Sequence, residues 1–496
     1  MGIIIRQSAK TVLATYVGVI IGVINTLLLY PLILTEEQVG LTRTFINAAL
    51  LFATFASLGA SNIPTLFFPY FKDYSKRHNG FLFFMLLIGG VGISLFTVFF
   101  LSFKSSIVSA YIHTAPLLVE YLYYLIPITG IIVLWNILET YSIVNQLPVF
   151  PSFIREVFIR GTLSLGLVLL FVRVFSFEWY VRSIVITYGL ALALIMAYLY
   201  VKKIFFIEPN VNFLSNSKKK EMLIYGGFVL LGNVSGAIIT NIDSLLLSAY
   251  SGLKSTGIYT IAFFIAQIVE IPKRSLSQVL IPLVSEANKN NDIAKLKELY
   301  VKSSINQLIV GGVIFLCLWC NIDDIFRIIP HGNIYSAGKW VVLFIGISKL
   351  FDMLTGINAE IIGTSKYYKY DLIFYVCLSF VGIITNVIFI PMYQMTGAAI
   401  ASMISLLSFN IMRYIFIAIK FKMQPFSWPT LYVIFYGIMI VQFNGVVYIG
   451  DHPIINIFIR SAFIAVIFVG GVIIMKVSTD INNLMFKILF KLRLHL

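Results

Sequence analysis

Long apolar runs parted by short polar ones set the pattern of this chain. Fourteen runs reach the ~20 mostly apolar residues a helix needs to cross a bilayer. They lie near 10–34, 41–70, 81–103, 114–139, 153–175, 179–201, 220–250 and 256–283, then 299–320, 336–364, 369–391, 395–419, 429–449 and 453–475. Membrane β-strands are ~9–11 residues of alternating polarity, which these runs do not match. The pattern predicts an all-α, polytopic membrane protein. No small-residue cleavage site follows the first run, so it reads as the first membrane helix and not as a cleaved signal.

Composition points the same way. Of 496 residues, 59% are hydrophobic and 11% charged, and mean hydropathy is +0.94. A soluble chain carries about 25% charged residues. The net charge of +15 is unevenly spread. Alternate loops, beginning with the N-terminus, hold twenty-three Lys and Arg, among them Lys72, Lys76, Arg77, Lys202, Lys203, Lys218, Lys219 and Lys220. The opposite loops hold six: Lys104, Arg173, Arg182, Lys254, Arg327 and Lys339. The positive-inside rule assigns the first set, and both termini, to the cytoplasm. Topology accounts for the basic excess, so no nucleic-acid partner is expected. Cys317 and Cys320 have redox-like spacing but stand in an apolar run at a span end, as Cys377 stands in another, and read as packing residues.

Small and polar residues interrupt several spans. Gly18 and Gly22 form a small-xxx-small pair, with Asn25 one turn on. Gly40-Leu-Thr-Arg43 opens the second span and resembles Gly257-Ile-Tyr-Thr260, 217 positions later. Pro64 follows the first by 24 residues and Pro282 the second by 25. A weaker echo joins Asn136-Ile-Leu-Glu139 to Asn358-Ala-Glu360. A six-span repeat is even-numbered, so both copies keep one orientation, as in parallel-repeat transporters. The repeat predicts a six-helix lobe over 1–206, a linker over 207–219, a second six-helix lobe over 220–420, and two extra helices with a basic amphipathic tail over 421–496. The tail, from Asn483 with Lys487, Lys491 and Arg493, is expected to lie on anionic lipid.

Charges inside spans carry the candidate chemistry. Each costs ~2.5–3.5 kcal/mol at mid-bilayer on insertion scales. Arg43, Arg160, Lys349 and Arg413 are candidate cations facing a substrate path. Asp243, Glu270, Asp352 and Glu360 are candidate charge partners or ion-coupling acids. Glu270, Lys273 and Arg274 share one helix face, and Lys349 and Asp352, at i, i+3, can pair on another. Two readings stay open for each: a wall of a polar path, or a neutralised or snorkelling structural charge. The five histidines lie in loops, near span ends or in the tail, and no metal-ligand spacing occurs. No catalytic residue, metal or cofactor is expected.

The string Ile242-Asp243, Gly257-Ile-Tyr259, Ile271-Pro272 and Pro282, with Arg6-Gln-Ser8 and Gly397-Ala-Ala-Ile-Ala401, resembles polysaccharide exporters of the multidrug/oligosaccharidyl-lipid/polysaccharide (MOP) superfamily. The best match is the Wzx-type O-antigen or lipid-linked oligosaccharide flippase branch, over most of residues 1–420. The resemblance implies two MATE-like six-helix bundles, an inverted-V cavity, alternating access and a bacterial inner-membrane location. It implies a lipid-linked oligosaccharide as cargo, membrane lipids as surroundings, and a polysaccharide polymerase or assembly proteins as possible partners. A coupling ion, H+ or Na+, is the one small cofactor-like species it allows. The alternative within the superfamily is a cation-coupled small-molecule or drug antiporter. A mildly cationic set of deep charges favours the diphosphate-bearing glycolipid, because Arg binds phosphate in a fork.

Overall fold

The computed structural model describes residues 2–210, 213, 216–442 and 452–483. Nearly all of the expected basic tail lies outside them, as do the side chains of Arg6 and Ser8. The fold is all-α, and no strand occurs among the described residues. Ten helices there are long and apolar enough to cross a membrane. Two of them run 73 and 53 residues and contain sharp turns at Gly252 (φ 83°) and Gln394 (φ 52°), so each holds two crossings. The segments 149–171 and Trp428–Gln442 add the two crossings left from the sequence pattern.

We number the crossings in chain order. They are α1 (2–33), α2 (Glu36–Ala56), α3 (Phe81–Ser102), α4 (Leu125–Val144), α5 (149–171), α6 (Phe177–Val201) and α7 (216–251). There follow α8 (253–289), α9 (Ile293–Cys320), α10 (Lys339–Leu354), α11 (368–393), α12 (395–420), α13 (Trp428–Gln442) and α14 (Pro453–Ile474). Local chemistry fixes several starts. Thr35 and Gln38 form a reciprocal capping box ahead of Glu36 and Glu37 on α2. Ser176 caps α6 and Asp292 caps α9. On α3, Leu87, Val91, Leu95 and Val98 form an exposed apolar stripe, the face a membrane helix turns to lipid.

The chain divides into two units, Met1–Gly257 and Ile258–Leu496. The first therefore includes α7 and the first turn of α8. Hydroxyl and amide pairs tie α7 to α2: Thr44 to Ser248 at 2.6 Å, and Asn47 Nδ2 donating to Ser244 at 2.6 Å. The repeat glycines meet here. A Cβ on Gly40 would lie 2.0 Å from the Leu253 carbonyl, and one on Gly257 would lie 2.0 Å from the Glu36 carbonyl. Each glycine thus faces the carbonyl four residues before the other. That reciprocity is the mark of a local two-fold contact.

The start of the 204–210 segment is docked rather than free. Ile204 is buried and its carbonyl accepts from Tyr141 at 2.9 Å, while Phe206 meets the buried His78 ring edge-on. In the second unit, one core of Val284, Leu296, Tyr300, Ile361 and Ile417 joins α8, α9, α12 and the short helix Asn358–Gly363. Another core, around Leu308, Val433, Ile464 and Phe468, seats α13 and α14 on α9.

Candidate functional site

In the second unit the deep charges of α8 and α10 converge. Lys273 Nζ lies 2.5 Å from Asp352 Oδ2, and Lys349 Nζ lies 2.5 Å from Glu270 Oε2. Both pairs span 79 positions, so α8 and α10 run side by side in one direction, a turn matching a turn. All four side chains are between 13% and 19% exposed. The i, i+3 pairing of Lys349 with Asp352 gives way to two cross-helix pairs. In the resulting square each charge has opposite charges both along its own helix and across from it. Arg274 reaches Glu270 at 3.8 Å with its own side chain largely exposed.

The square sits where two helices are irregular. A 3-10 turn, Ile268–Glu270, interrupts α8 just ahead of Pro272. The tenth span, read as continuous over 336–364, is broken. Its helix stops at Leu354, Gly356 takes φ +64°, and a short helix resumes at Asn358. Side chains satisfy the exposed backbone there. Ser304 Oγ donates to the Leu354 carbonyl at 2.6 Å, and Thr355 Oγ1 and Lys273 Nζ donate to the Asp352 carbonyl. Asn410 Oδ1 on α12 accepts from Thr355 and Asn358 at 3.0 and 3.1 Å. A broken helix is tolerated at membrane depth only where protein or a wet cavity replaces the lost bonds.

The first unit holds a second polar cluster between α1 and α5. Both helices carry a π turn, Asn25–Leu29 and Ile154–Phe158. Such turns recur at functional sites because they spread the backbone and re-aim side chains. Asn25 donates to the Arg160 carbonyl at 3.2 Å and accepts from Ser164 at 2.6 Å. The small-xxx-small pair serves this contact. Gly18 admits the Glu156 backbone, and a Cβ on Gly22 would come 3.0 Å from an Arg160 guanidinium nitrogen. That guanidinium bonds the Gly18 carbonyl and pairs with Glu156 at 3.0 Å, and its side chain remains 36% exposed. Glu156 continues to Arg155, and Arg155 to the buried Glu139 at 2.8 Å.

The other candidates stand on α2, α7, α12 and the short helix Asn358–Gly363. Arg43 is half-buried on α2, near Tyr30. Asp243 is buried on α7, beside Ser244. Glu360 is half-buried in the short helix after the α10 break, and its Oε2 has no hydrogen-bond partner among the described residues. Arg413 is 4% exposed; its Nε and Nη2 both reach Asp371 Oδ1, at 2.9 and 2.7 Å, and its guanidinium lies 3.9 Å from the centre of the Phe409 ring. Arg460 on α14 bonds the Cys320 carbonyl and Asp324. Sequence reasoning did not single out Asp371 or Asp324, since both stand at span ends where a charge is cheap. Asn358 stood out only in the weak echo of Asn136, and its link through Asn410 to Thr355 was equally hidden.

Residues 4–288 match the family described as "Polysaccharide biosynthesis protein". The chain belongs to that family. A second family, MatE, matches residues 229–388. Among curated proteins the chain is 25% identical over 195 residues to the capsular polysaccharide biosynthesis protein CapF of Staphylococcus aureus, covering 38% of this chain and 48% of that protein. It is 23% identical over 316 residues to the uncharacterized membrane protein MJ1068 of Methanocaldococcus jannaschii, covering 61% and 60%. The chain thus spans about half to three-fifths of the curated relatives it matches. Its fold is similar to the lipid II flippase MurJ in an inward closed conformation, with TM-score 0.68 at 15% identity over 95% of this chain and 100% of that one. It is also similar to an inward-facing MATE multidrug transporter of the MOP superfamily, with TM-score 0.62 at 15% identity over 84% and 94%. The fold is that of MOP-superfamily transporters, and the protein is a multi-pass membrane protein.

Proposed function

We propose that the protein is a flippase that moves a polyprenyl-diphosphate-linked oligosaccharide between the leaflets of a cytoplasmic membrane by alternating access, with both termini on the cytoplasmic side. The sugar and diphosphate must cross ~30 Å of hydrocarbon while the polyprenyl tail stays in lipid. The observation that carries the reading is Arg160. Its guanidinium is held by one carbonyl and one carboxylate, yet it keeps over a third of its surface open, and its Nε has no partner among the described residues. A fork so placed suits a transient bidentate grip on a diphosphate. Family membership and the CapF relative support a polysaccharide precursor as cargo. Arg43 and Lys349 are the further cationic contacts in this reading. Arg413, buried against Asp371, acts as a strut joining α11 to α12. Lys349 is held in reserve by Glu270, and Glu270 and Asp352 are the acids a coupling proton or sodium ion would engage.

The test is transbilayer movement of a fluorescent short-chain polyprenyl-diphosphate oligosaccharide in proteoliposomes. Arg160→Ala is expected to lower the rate at least tenfold at equal protein level, and Arg160→Lys to restore part of it, because Lys keeps charge but loses the fork. Unchanged translocation when Arg43, Arg160 and Lys349 are all neutral would refute the mechanism. Efflux of a small cationic dye by the wild type, without glycolipid movement, would replace it with the antiporter reading.

A further inference from the structure

At one end of the second unit lies a cavity of about 350 Å³ that the export mechanism does not use. Its wall comes from the last turn of α8, the start of α9, the 364–367 turn and the last turn of α12. Lys289, Lys366 and Lys420 converge on it from three of these segments. Leu296, a member of the buried core, forms part of its apolar lining, and the Tyr367 and Phe421 rings, 5.7 Å apart, form another part. The wall is built before any ligand arrives. Asn288 on α8 donates to the Ile361 carbonyl at 3.1 Å and to Thr364 at 2.7 Å, and Ser365 accepts from the Tyr367 amide.

Lysines at helix C-termini are common, because they complement the helix dipole, and this is the end that loop charge assigns to the cytoplasm. That accounts for Lys289 and Lys420 singly, but not for the convergence of three cations. The neighbouring lysines show the contrast. Lys295 and Lys302 both pair with Glu298, at 3.0 and 2.8 Å. The three cavity lysines have no carboxylate within ion-pair distance among the described residues, and no acid stands on the wall. Asp292, next to the wall in sequence, spends its carboxylate capping α9. Like charges in a concave, partly apolar site concentrate a positive potential that water screens poorly, and a counter-anion relieves it.

We propose that this cavity is a binding site for a phosphate-bearing anion, distinct from the site of the transported diphosphate and held by Lys289, Lys366 and Lys420. The same chemistry is offered by the headgroup of an anionic phospholipid and by a soluble phosphate. Lys366, 5.3 Å from the centre of the Tyr367 ring, would swing from ring to phosphate on binding. Failure of this proposal leaves the export reading untouched, since none of these residues serves it.

The experiment compares the full chain with a Lys289→Gln/Lys366→Gln/Lys420→Gln variant, and with a Lys295→Gln/Lys302→Gln control that removes equal-end charge outside the cavity. Native mass spectrometry after exchange into micelles doped with phosphatidylglycerol or phosphatidylcholine reads the lipid arm. Thermal unfolding with added inorganic pyrophosphate reads the soluble arm. At least fivefold preferential retention of phosphatidylglycerol, lost in the cavity variant and kept in the control, supports the site with a lipid headgroup as its source. A pyrophosphate-dependent rise in melting temperature with the same variant pattern supports the site with a soluble source. The single variant Lys420→Gln, which leaves the wall's hydrogen bonds intact, is expected to weaken whichever probe binds by severalfold. Equal loss in the cavity variant and the control, or no selective response to either probe, overturns the proposal.

Discussion

Replacing Gly40 by alanine would put a methyl group 2.0 Å from the Leu253 carbonyl, and Gly257→Ala would do the same against Glu36. Neither obstacle is a flexible side-chain tip, so backbone must move, at a cost of about 3 kcal/mol. Both variants are expected to lower the melting temperature in detergent by several degrees. Gly161→Ala, which meets nothing within 4 Å, is expected to leave it unchanged. A Gly40→Ala protein as stable as the wild type would mean that the glycine contact is not tightly packed. The charge square offers a second residue-scale test. Lys349→Met removes the shortest partner of Glu270 in a poorly solvated site and leaves it Arg274 at 3.8 Å, a loss expected to fall below the ~3–5 kcal/mol of a buried pair broken on one side. The double variant Lys349→Met/Glu270→Gln removes both charges and is expected to regain most of that stability. If instead the single and double variants are equally destabilised, the pair has no direct coupling. Regained stability without regained transport would separate the functional part of the square from its structural part.

At the scale of helices, the turn between α11 and α12 rests on Gln394 at φ 52°, ψ −128°, a conformation that glycine adopts freely and a side chain resists. Gln394→Gly is expected to stabilise the protein by about 1 kcal/mol, read as a higher melting temperature with transport unchanged. Lower stability would show that the Gln394 side chain holds the turn. The elements were legible in the sequence to very different degrees. Hydropathy located the crossings, because lipid demands some twenty apolar residues wherever a helix spans. It did not show that the tenth span breaks at Gly356, since Lys339–Gly363 reads as one amphipathic run. The break depends on Ser304 and Asn410, distant in sequence, to satisfy the freed groups. The π turns of α1 and α5 were invisible for the same reason. Among the charges, depth was readable but partnership was not. Lys349 has an acid three residues away on its own helix, and only the register of α8 against α10 delivers Glu270 to it. Arg413 read as a cavity cation because its acid, Asp371, lay 42 positions earlier at the head of another span.

For the molecule as a whole, the proposed topology has residue 254 on one side of the membrane and residue 289 on the other. In a background lacking Cys317, Cys320 and Cys377, the single variants Lys254→Cys and Lys289→Cys are expected to react with an impermeant maleimide from opposite sides of sealed vesicles. Labelling from the same side would overturn the orientation and the lobe assignment with it. The first unit ends at Gly257, well past the last residue of α6, Val201. The partners of Asn47, Thr44 and Gly40 are therefore made some two hundred residues after them. On the ribosome, at ~5–20 residues per second, the first six helices must wait about 3–11 seconds after α6 is complete before Gly257 exists. During that interval the polar face of α2 has no α7 to meet, and insertion factors or chaperones in the membrane have a defined window in which to hold it.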